Sequence, residues 1–298
     1  MQQTKFIWMD GEFVEWENAK IHILTHSLHY GSGVFEGIRF YESEKGPAVF
    51  RLKEHVNRLF HSASVFDMKI KYSKGEIENI ILELIRKNNL KSGYIRPLIY
   101  FGYGKMGLAL KGAPVNIAIA VWPWGAYLGE RPIKIKTSSF MRLHPESTIQ
   151  SAKISGNYMN SILATEEVKK QGYDEALLLD CKGKIAEGPG ENIFIVKNNK
   201  LITPSVGNIL PGITRDSIIK IAFDSGINVE EKEISKEEML VADEAFFTGT
   251  AAEITAIESV DDVFLKKSFG PVTKKLRDIY LNVVQGKNSR YEDWLKVV

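Results

Sequence analysis

Residues 151–160 read SAKISGNYMN, and this segment decides how the rest of the chain is interpreted. Small and polar residues surround Lys153 here, and Ser155 and Gly156 leave room beside it. An ordinary surface lysine does not need such neighbours. Two interpretations stay open from the segment alone: a solvated charge, or an amine that acts in catalysis.

The composition is that of an ordinary globular protein, with 44% hydrophobic and 26% charged residues among 298. This length predicts two domains or one large one. A formal net charge of +2 gives no indication of a nucleic acid or membrane partner, so neither is expected. The single cysteine, Cys181, cannot form an intrachain disulfide, which favours a reducing compartment and hence the cytoplasm. We find no secretory signal and no apolar run near the ~20 residues of a membrane span.

The spacing of apolar and turn residues predicts an α+β fold. Asp10-Gly11 predicts a hairpin, and Ser73 with Glu76 predicts a capping box that opens a helix. Further elements are predicted as hairpins around Lys182-Gly183 and Asn198-Asn199, and as helices over 53–66, 157–171, 212–226 with Thr214 as N-cap, and 271–285.

Glycines and a proline interrupt this pattern in WGAYLGERPI, residues 124–133. Such a segment is typical of an interdomain connection. We therefore expect an N-terminal α+β domain over 1–123 and a second domain over 134–298.

The segment GYGKMG, residues 102–107, matches the formal pattern of a dinucleotide site and follows a predicted strand. A true site also needs a helix that opens on the last glycine and an acid about 20 residues later. Gly112 and Pro114 follow instead, and no acid precedes Glu130. A dinucleotide-binding oxidoreductase is therefore disfavoured.

Two other candidate sites are also weak. His22, His26 and His29 lie close together, but they do not form the helical H-E-x-x-H pattern of a zinc site, so no metal is expected. Cys181 has no evident histidine partner in sequence, which favours a structural cysteine over a nucleophile.

Two turns of small residues could hold an anion. The helix start in GITRDS, residues 212–217, presents unpaired N–H groups that suit a phosphate, although an ordinary capped helix explains it equally. TGTAAE, residues 248–253, offers further hydroxyl and N–H donors. Arg58 could complete such a site, or it could pair with Glu54 four residues earlier on the same helix.

A stiff turn rich in glycine and proline, EGPGEN, residues 187–192, holds Glu187 directly after a predicted strand. Glu187 is either a solvent-facing acid or a carboxylate directed at a cation.

Eight segments in this order resemble the branched-chain aminotransferases, a group of class IV aminotransferases with fold type IV of the pyridoxal-phosphate enzymes. They cover nearly the whole chain and read HSLHYGSGVFEGIR (26–39), FRLKEHVNRL (50–59), YIRPLIY (94–100), PWGAYLG (123–129), AKISGNYMNSILA (152–164), EGPGENIF (187–194), LPGITRDSI (210–218), and SGINVEEKEIS (225–235) followed by FFTGTAAEIT (246–255). The resemblance implies a two-domain α+β architecture like that of D-amino-acid aminotransferase. Its small N-terminal α/β domain precedes a larger C-terminal domain whose strands form a pseudo-barrel.

The resemblance also implies pyridoxal 5'-phosphate as the cofactor, bound covalently by Lys153 as a Schiff base. Tyr158 would hydrogen-bond the phenolic oxygen of the cofactor, and Glu187 would pair with its ring nitrogen. The phosphate would be held by Arg58, Ile213, Thr214, Gly249 and Thr250.

The implied reaction transfers the amino group of leucine, isoleucine or valine to 2-oxoglutarate and gives branched-chain 2-oxo acids and L-glutamate. The substrate pocket would contain Phe35, Gly37, Trp124 and Tyr127 for the side chain, with Tyr94, Arg96, Thr250 and Ala251 for the carboxylates. Tyr30 and Leu108 of the partner subunit would complete it, which implies a homodimer and allows a hexamer of three dimers. D-amino-acid aminotransferases and 4-amino-4-deoxychorismate lyases share the cofactor residues and stay open as alternatives.

Overall fold

The computed structural model describes residues 2–125, 128–129 and 131–298. The chain divides into two compact units. Unit 1 comprises residues 1–125, 152–156 and 282–298, and unit 2 comprises residues 126–151 and 157–281. Two later segments thus group with the first 125 residues. The domain bounds of 1–123 and 134–298 stay a prediction.

Helices are interspersed among the strands along the chain. In order, they are β1 (Phe6–Met9), β2 (Glu12–Glu15), α1 (His26–Tyr30), β3 (Gly33–Phe35), β4 (Ile38–Ser43), β5 (Gly46–Phe50), α2 (Leu52–Ser64), α3 (Lys74–Lys87), β6 (Gly93–Phe101), β7 (Val115–Trp122), β8 (Ile133–Thr137), α4 (Tyr158–Lys169), β9 (Glu175–Leu179), β10 (Ile185–Glu187), β11 (Asn192–Lys197), β12 (Lys200–Thr203), α5 (Ile213–Asp224), β13 (Val229–Glu231), α6 (Lys236–Leu240), β14 (Glu244–Gly249), β15 (Glu253–Val260), β16 (Val263–Phe264), α7 (Pro271–Val284) and β17 (Leu295–Val297). This mixture confirms the predicted α+β content.

Unit 1 is built on one antiparallel sheet with strand order β17-β5-β4-β6-β7-β1-β2, to which β3 adds by pairing with β6. The Asp10-Gly11 hairpin is confirmed, because Met9 pairs with Glu12 across it. Ser73 and Glu76 form the predicted capping box at the start of α3. The core of unit 1 contains the apolar residues Val56, Leu59, Ile77, Ile81, Ile95, Ile99 and Ile119.

The sheet of unit 1 also borders a second, more open apolar space. Successive side chains of a strand point to opposite faces, so Arg96, Leu98 and Tyr100 of β6 share one face. Together with residues of β1 and β7 they line a cavity of about 390 Å³.

Unit 2 contains a nine-stranded mixed sheet, in the described part of the chain, with order β10-β9-β8-β15-β14-β11-β12-β13 and β16 paired with β15. β8 runs parallel to both β9 and β15, and β12 runs parallel to β13. The predicted hairpins β9–β10 and β11–β12 are confirmed. The core of this unit contains Ile133, Ile135, Leu177, Ile193, Ile195, Phe247 and Ile257.

The prediction of Thr214 as the N-cap of α5 was wrong. The helix begins at Ile213, and Gly212 is its N-cap with an extended backbone, φ −68° and ψ 133°. Thr214 is therefore a buried residue of the first turn. Hydroxyl residues favour the cap position, but the extended backbone at Gly212 places the N-cap two residues before Thr214.

A buried carboxylate caps the start of α7. Glu244 of β14 accepts hydrogen bonds from the N–H of Thr273 at 2.8 Å, from its hydroxyl at 2.8 Å and from the N–H of Val272 at 3.2 Å. It thereby satisfies N–H groups in the first turn of α7 that have no partner within the helix. No helix within the described ranges is long and apolar enough to cross a membrane.

Candidate active site

The main chain of Lys153 is fixed to unit 1 at several points. Phe35 N–H donates to the carbonyl of Lys153 at 3.1 Å, and Lys153 N–H donates to Ser62 Oγ at 2.9 Å. Gly156 N–H donates to the carbonyl of Gly31 at 3.1 Å. A Cβ on Gly31, whose φ is +64°, would lie 2.7 Å from Gly156 Cα, so this approach needs glycine at position 31. Residues 153–156 are thus held beside β3 by main-chain hydrogen bonds.

The side chain of Lys153 lies over the ring of Phe35, which Arg96 also approaches. Its Nζ is 5.0 Å from the centre of the Phe35 ring, and the Arg96 guanidinium is 4.9 Å from the same ring. Arg96 also lies 5.5 Å from the ring of Tyr94, which meets Trp124 edge to face at 4.5 Å. The structure therefore brings together five residues that the resemblance assigned to catalysis or substrate binding.

Arg96 stands out within this group. Its Nε is buried and has no hydrogen-bond partner among the residues that the structure describes. An unsatisfied buried donor is destabilising by ~1–3 kcal/mol and therefore indicates a ligand at a functional site. Tyr127, assigned to the same pocket, lies outside the described residues.

A buried carboxylate holds Arg58. Nε and Nη2 of Arg58 donate to the two carboxylate oxygens of Glu36 at 2.6 and 2.9 Å, and Nδ1 of His55 lies 2.7 Å from Glu36 Oε2. Burial raises the pKa of Glu36, but the charge of Arg58 and the hydrogen bonds from His55 and Arg58 outweigh it and hold this pKa far below its usual range. The carboxylate is therefore ionised at neutral pH. Burial lowers the pKa of His55 itself. The ion pair of Glu54 is with Arg51, at 2.8 Å.

In unit 2, Glu187 ends β10 with its carboxylate held by several donors. Nε of Arg142 lies 2.5 Å from Oε1, Nδ2 of Asn192 lies 3.1 Å from Oε2, and Leu210 N–H donates to Oε2 at 3.2 Å. Glu187 is therefore a fixed, buried carboxylate rather than a solvent-facing loop acid. Tyr158, the other predicted residue of this group, is the first residue of α4.

The two predicted phosphate turns lie at the start of α5 and directly after β14. Ile213 and Thr214 are the first two residues of α5, and glycine at the N-cap has no side chain to satisfy their N–H groups. Gly249 ends β14, and Thr250 and Ala251 form the turn to β15. Thr248 Oγ1, one residue earlier, is buried and has no partner within the described residues.

Two residues that the resemblance assigned to the substrate pocket of a partner subunit, Tyr30 and Leu108, are on the surface. Tyr30 ends α1 and is 43% exposed, and Leu108 is 85% exposed. Ile23 and Leu28, close in sequence to Tyr30, are 72% and 57% exposed. Large apolar side chains that are exposed close together in the chain indicate an interaction site.

The histidines near α1 have structural roles. Nδ1 of His26 lies 2.6 Å from Ser32 Oγ and its Nε2 lies 2.8 Å from the carbonyl of Gly107. Nε2 of His29 lies 3.0 Å from the carbonyl of Ile23. No group of three or more potential metal ligands occurs in the described part of the chain.

The other two motifs have ordinary local structure. Residues 102–107 lie in an irregular segment that no helix follows before β7, so GYGKMG lacks the context of a dinucleotide site. Cys181 is an exposed free thiol in the turn between β9 and β10.

Four residues that contact the predicted site were missed from the sequence: Glu36, His55, Ser62 and Arg142. Three of them carried a usable signal. Glu36 is an acid within an apolar run, and His55, Arg58 and Ser62 follow a helical spacing that places them on one face of α2. Arg142 had no such signal, because it lies in an irregular segment distant in sequence from Glu187.

Comparison with known proteins gives matches over almost the entire chain. The amino-transferase class IV family matches residues 33–260. A branched-chain-amino-acid aminotransferase of Pseudomonas aeruginosa is 48% identical over 297 residues, which cover 98% of this chain and 97% of the relative. The protein of that name from Escherichia coli K12 is 44% identical over 304 residues, covering 100% and 98%.

Solved structures give the same result. A branched-chain amino acid aminotransferase from T.th., in complex with N-(5'-phosphopyridoxyl)-L-glutamate, superimposes with a TM-score of 0.96 at 44% identity, covering 100% of this chain and 99% of that one. A structure of the Escherichia coli branched-chain amino acid aminotransferase also has a TM-score of 0.96, at 44% identity and 99% coverage of both chains.

Proposed function

Since this chain belongs to the amino-transferase class IV family, we propose that it transfers the amino group of leucine, isoleucine and valine to 2-oxoglutarate, with pyridoxal 5'-phosphate as cofactor. Its substrates are amino acids and 2-oxo acids. The predicted fold type IV architecture is confirmed by the likeness to solved structures. The observation that carries the proposal is the full-length match to a structure that holds a phosphopyridoxyl-glutamate compound.

The charged residues fit the cofactor. The Arg58 guanidinium suits a phosphate, as do the N–H groups of Ile213 and Thr214 at the start of α5. Gly249 and Thr250 would add donors from the turn after β14. The ionised form of Glu187, held by Arg142, would keep a ring nitrogen protonated. When bound, the cofactor supplies a ring that accepts electrons from the substrate Cα.

Lys153 would move the proton. Its amine would take the proton from the substrate Cα and deliver it to the cofactor carbon C4′, which is general acid–base catalysis. The hydrogen bonds with Ser62 and Phe35 fix the main chain of Lys153, and so the point from which its side chain extends. Tyr158 would hydrogen-bond the phenolic oxygen.

The aromatic group around Lys153 would bind the substrate. Phe35 and Trp124 would contact a branched side chain, with Gly37 and Tyr127 completing this wall. Arg96, with its unsatisfied Nε, would receive a carboxylate together with Tyr94. Such a wall discriminates by only ~1–3 kcal/mol per methylene, so leucine, isoleucine and valine should all react. Backbone N–H groups at Thr250 and Ala251 would serve the second carboxylate of glutamate.

We further propose that the chain is a homodimer whose partner subunit supplies Tyr30 and Leu108 to the pocket. The support is the exposed apolar surface around α1 and the adjoining cavity of about 390 Å³. A hexamer of three dimers is the larger assembly compatible with this proposal. The exposed, unpaired Cys181 supports a reducing location, which we propose is the cytoplasm.

The test measures both the substrate specificity and the role of Lys153. We expect the purified protein to be yellow, to convert L-isoleucine and 2-oxoglutarate to L-glutamate, and not to use D-alanine. Borohydride should attach the cofactor to Lys153, as located by peptide mapping. Lys153→Ala should abolish turnover, whereas Lys170→Ala on exposed surface should not. Cofactor binding without conversion of L-isoleucine would remove the substrate assignment, and turnover by Lys153→Ala would remove the role of the lysine.

A further inference from the structure

One face of α2 carries three polar side chains that are buried or nearly buried in unit 1. His55, Arg58 and Ser62 are spaced by three and four residues, so they lie on the same side of the helix. His55 and Ser62 are fully buried, and the side chain of Arg58 is 11% exposed. Each has a partner outside the helix: Glu36 for His55 and Arg58, and the main chain of Lys153 for Ser62.

The contact between Arg58 and Glu36 fixes the orientation of the guanidinium. The Nε and Nη2 edge of the plane faces both carboxylate oxygens, at 2.6 and 2.9 Å. A paired contact of this kind restricts rotation about the last bonds of the arginine side chain, which a single point contact does not. It also directs the N–H groups of Nη1 away from Glu36.

His55 fixes the carboxylate in turn. Glu36 is ionised and can only accept hydrogen bonds, so Nδ1 of His55 carries the hydrogen that bridges the 2.7 Å to Oε2. Glu36 N–H donates to the carbonyl of Pro97 at 3.0 Å, which ties the main chain of the acid to β6. The guanidinium is therefore held by a carboxylate that is itself held on two sides.

We propose that Glu36, fixed by His55, is a positioning residue that orients Arg58 for the phosphate monoester of the cofactor. This inference rests on the proposed function, in which Arg58 binds that phosphate. Glu36 does not contact the phosphate in this arrangement and acts only through Arg58. Because Ser62 receives Lys153 N–H on the same helix face, α2 carries both the phosphate-binding arginine and an anchor of the lysine.

Charge and orientation predict opposite effects of removing this acid. If charge alone mattered, Glu36→Gln would strengthen phosphate binding, because it removes a negative charge 2.6 Å from the guanidinium. If Glu36 orients the guanidinium, the same substitution weakens phosphate binding. The sign of the change therefore decides between the two.

The experiment compares pyridoxal 5'-phosphate with pyridoxal, which lacks the phosphate. Dissociation constants are measured by absorbance on the full chain freed of cofactor, for the wild type, Glu36→Gln and the control Glu42→Gln. Glu42 is a matched control because its ion pair with Lys91 is exposed. We expect Glu36→Gln to weaken binding of the phosphate form about tenfold, the scale of a lost charge-assisted hydrogen bond, and to leave pyridoxal within about twofold. Glu42→Gln should change neither.

A second set of variants guards against misfolding of Glu36→Gln. Glu36→Asp keeps the charge but shortens the reach, and we expect an intermediate loss confined to the phosphate form. Arg58→Lys keeps a charge without the planar fork, and adding Glu36→Gln to it should cause no further loss, because the acid acts only through the arginine. Circular dichroism checks that each variant is folded.

The outcomes separate the two proposals. A wild type that binds both compounds equally would contradict the proposed function. A wild type that prefers the phosphate form, with Glu36→Gln and Glu36→Asp retaining or increasing that preference, would overturn only the role of Glu36. Equal loss of both compounds would also overturn it, since that pattern reports a general structural defect.

Discussion

The phenolic oxygen of Tyr94 occupies the position at which a side chain on residue 37 would begin. A Cβ built on Gly37 would lie 1.9 Å from Tyr94 Oη, whereas real Cβ contacts are almost never shorter than 3.0 Å. The position of the Tyr94 ring beside Trp124 therefore depends on residue 37 being a glycine.

Gly37→Ala should consequently move Tyr94 by about an ångström and disturb the proposed substrate pocket. We expect kcat/KM for L-valine to fall roughly 10- to 100-fold, since misplacement by an ångström can have an effect of this size. Steady-state kinetics measure this, with Gly75→Ala as the control because a Cβ there meets nothing within 4 Å. Unchanged kinetics in Gly37→Ala would mean that Tyr94 does not contribute to the pocket.

Arg142→Met should destabilise the protein much more than Arg131→Met. Arg142 and Glu187 form a buried pair, with side chains 11% and 7% exposed, so losing the arginine leaves a buried charge. We expect the free energy of unfolding to fall by about 3 kcal/mol. This is the low end for such pairs, because Asn192 and Leu210 still donate to Glu187. The pair of Arg131 with Asp174 is more exposed, and its loss should stay below about 1 kcal/mol. Urea unfolding measures both, and equal losses would contradict the assignment.

Glu175→Gln should remove a pH-dependent loss of stability. Burial raises the pKa of Glu175 above 4.5, and hydrogen bonds from Ala176 N–H and the Thr165 hydroxyl offset this only in part. The folded state thus binds the proton more tightly than the unfolded state. The resulting stabilisation is complete below about pH 4.5 and is lost as the pH rises through the folded pKa.

The measurement for Glu175 is the free energy of unfolding of both proteins between about pH 4 and 8, the range over which such a shifted carboxyl titrates. As the pH rises above the pKa of Glu175 in the unfolded state, the free energy of unfolding of the variant should increase relative to that of the wild type. A constant difference across the range would show that Glu175 does not titrate differently in the two states.

Glu244→Gln should weaken the start of α7. The amide oxygen replaces only one of the two carboxylate oxygens, and an N–H₂ group takes the place of the other. At least one N–H of the first turn therefore loses its acceptor. We expect a loss of about 1–2 kcal/mol in the free energy of unfolding. Glu233→Gln, which alters an exposed pair with Lys182, is the control and should change stability by less than about 1 kcal/mol. A loss no larger than that of the control would contradict the capping role.

Two inactive variants should restore activity when they share a dimer. Lys153→Ala lacks the reactive amine, and Tyr30→Ala lacks the residue that we propose enters the neighbouring site. In a mixed dimer one site has Lys153 from one chain and Tyr30 from the other, so co-expression should recover activity that neither homodimer has. No recovery in isolated mixed dimers would place Tyr30 in the site of its own chain.

The elements that the sequence predicted well are those whose determinants are local. The capping box of α3 and the Asp10-Gly11 hairpin depend on residues within a few positions of one another. The parallel pairing of β8 with β15 could not be predicted, because register between strands so distant in sequence is set by packing of the whole sheet. Thr214 shows that even a local rule fails when an extended glycine starts the helix earlier.

The site was predicted through likeness of whole segments, and its supporting contacts were not. Lys153 and Glu187 lie in segments with a recognisable pattern, but nothing near Glu187 in sequence indicates Arg142. The sequence also left open a pairing of Arg58 with Glu54 on the same helix. In the structure, Glu36 on the connection between β3 and β4 provides the carboxylate. Such contacts depend on tertiary structure, which brings together residues that the sequence separates.

The pairing of β17 with β5 has a consequence for synthesis of the chain. Leu295 pairs with Phe50, so β5 leaves the ribosome long before its neighbour exists. At about 5–20 residues per second the interval is roughly 10–50 s. During that time the edge of β5 can pair with another strand, which is how nascent chains aggregate. The nascent chain therefore has a period of vulnerability that ends only when residues 295–297 emerge.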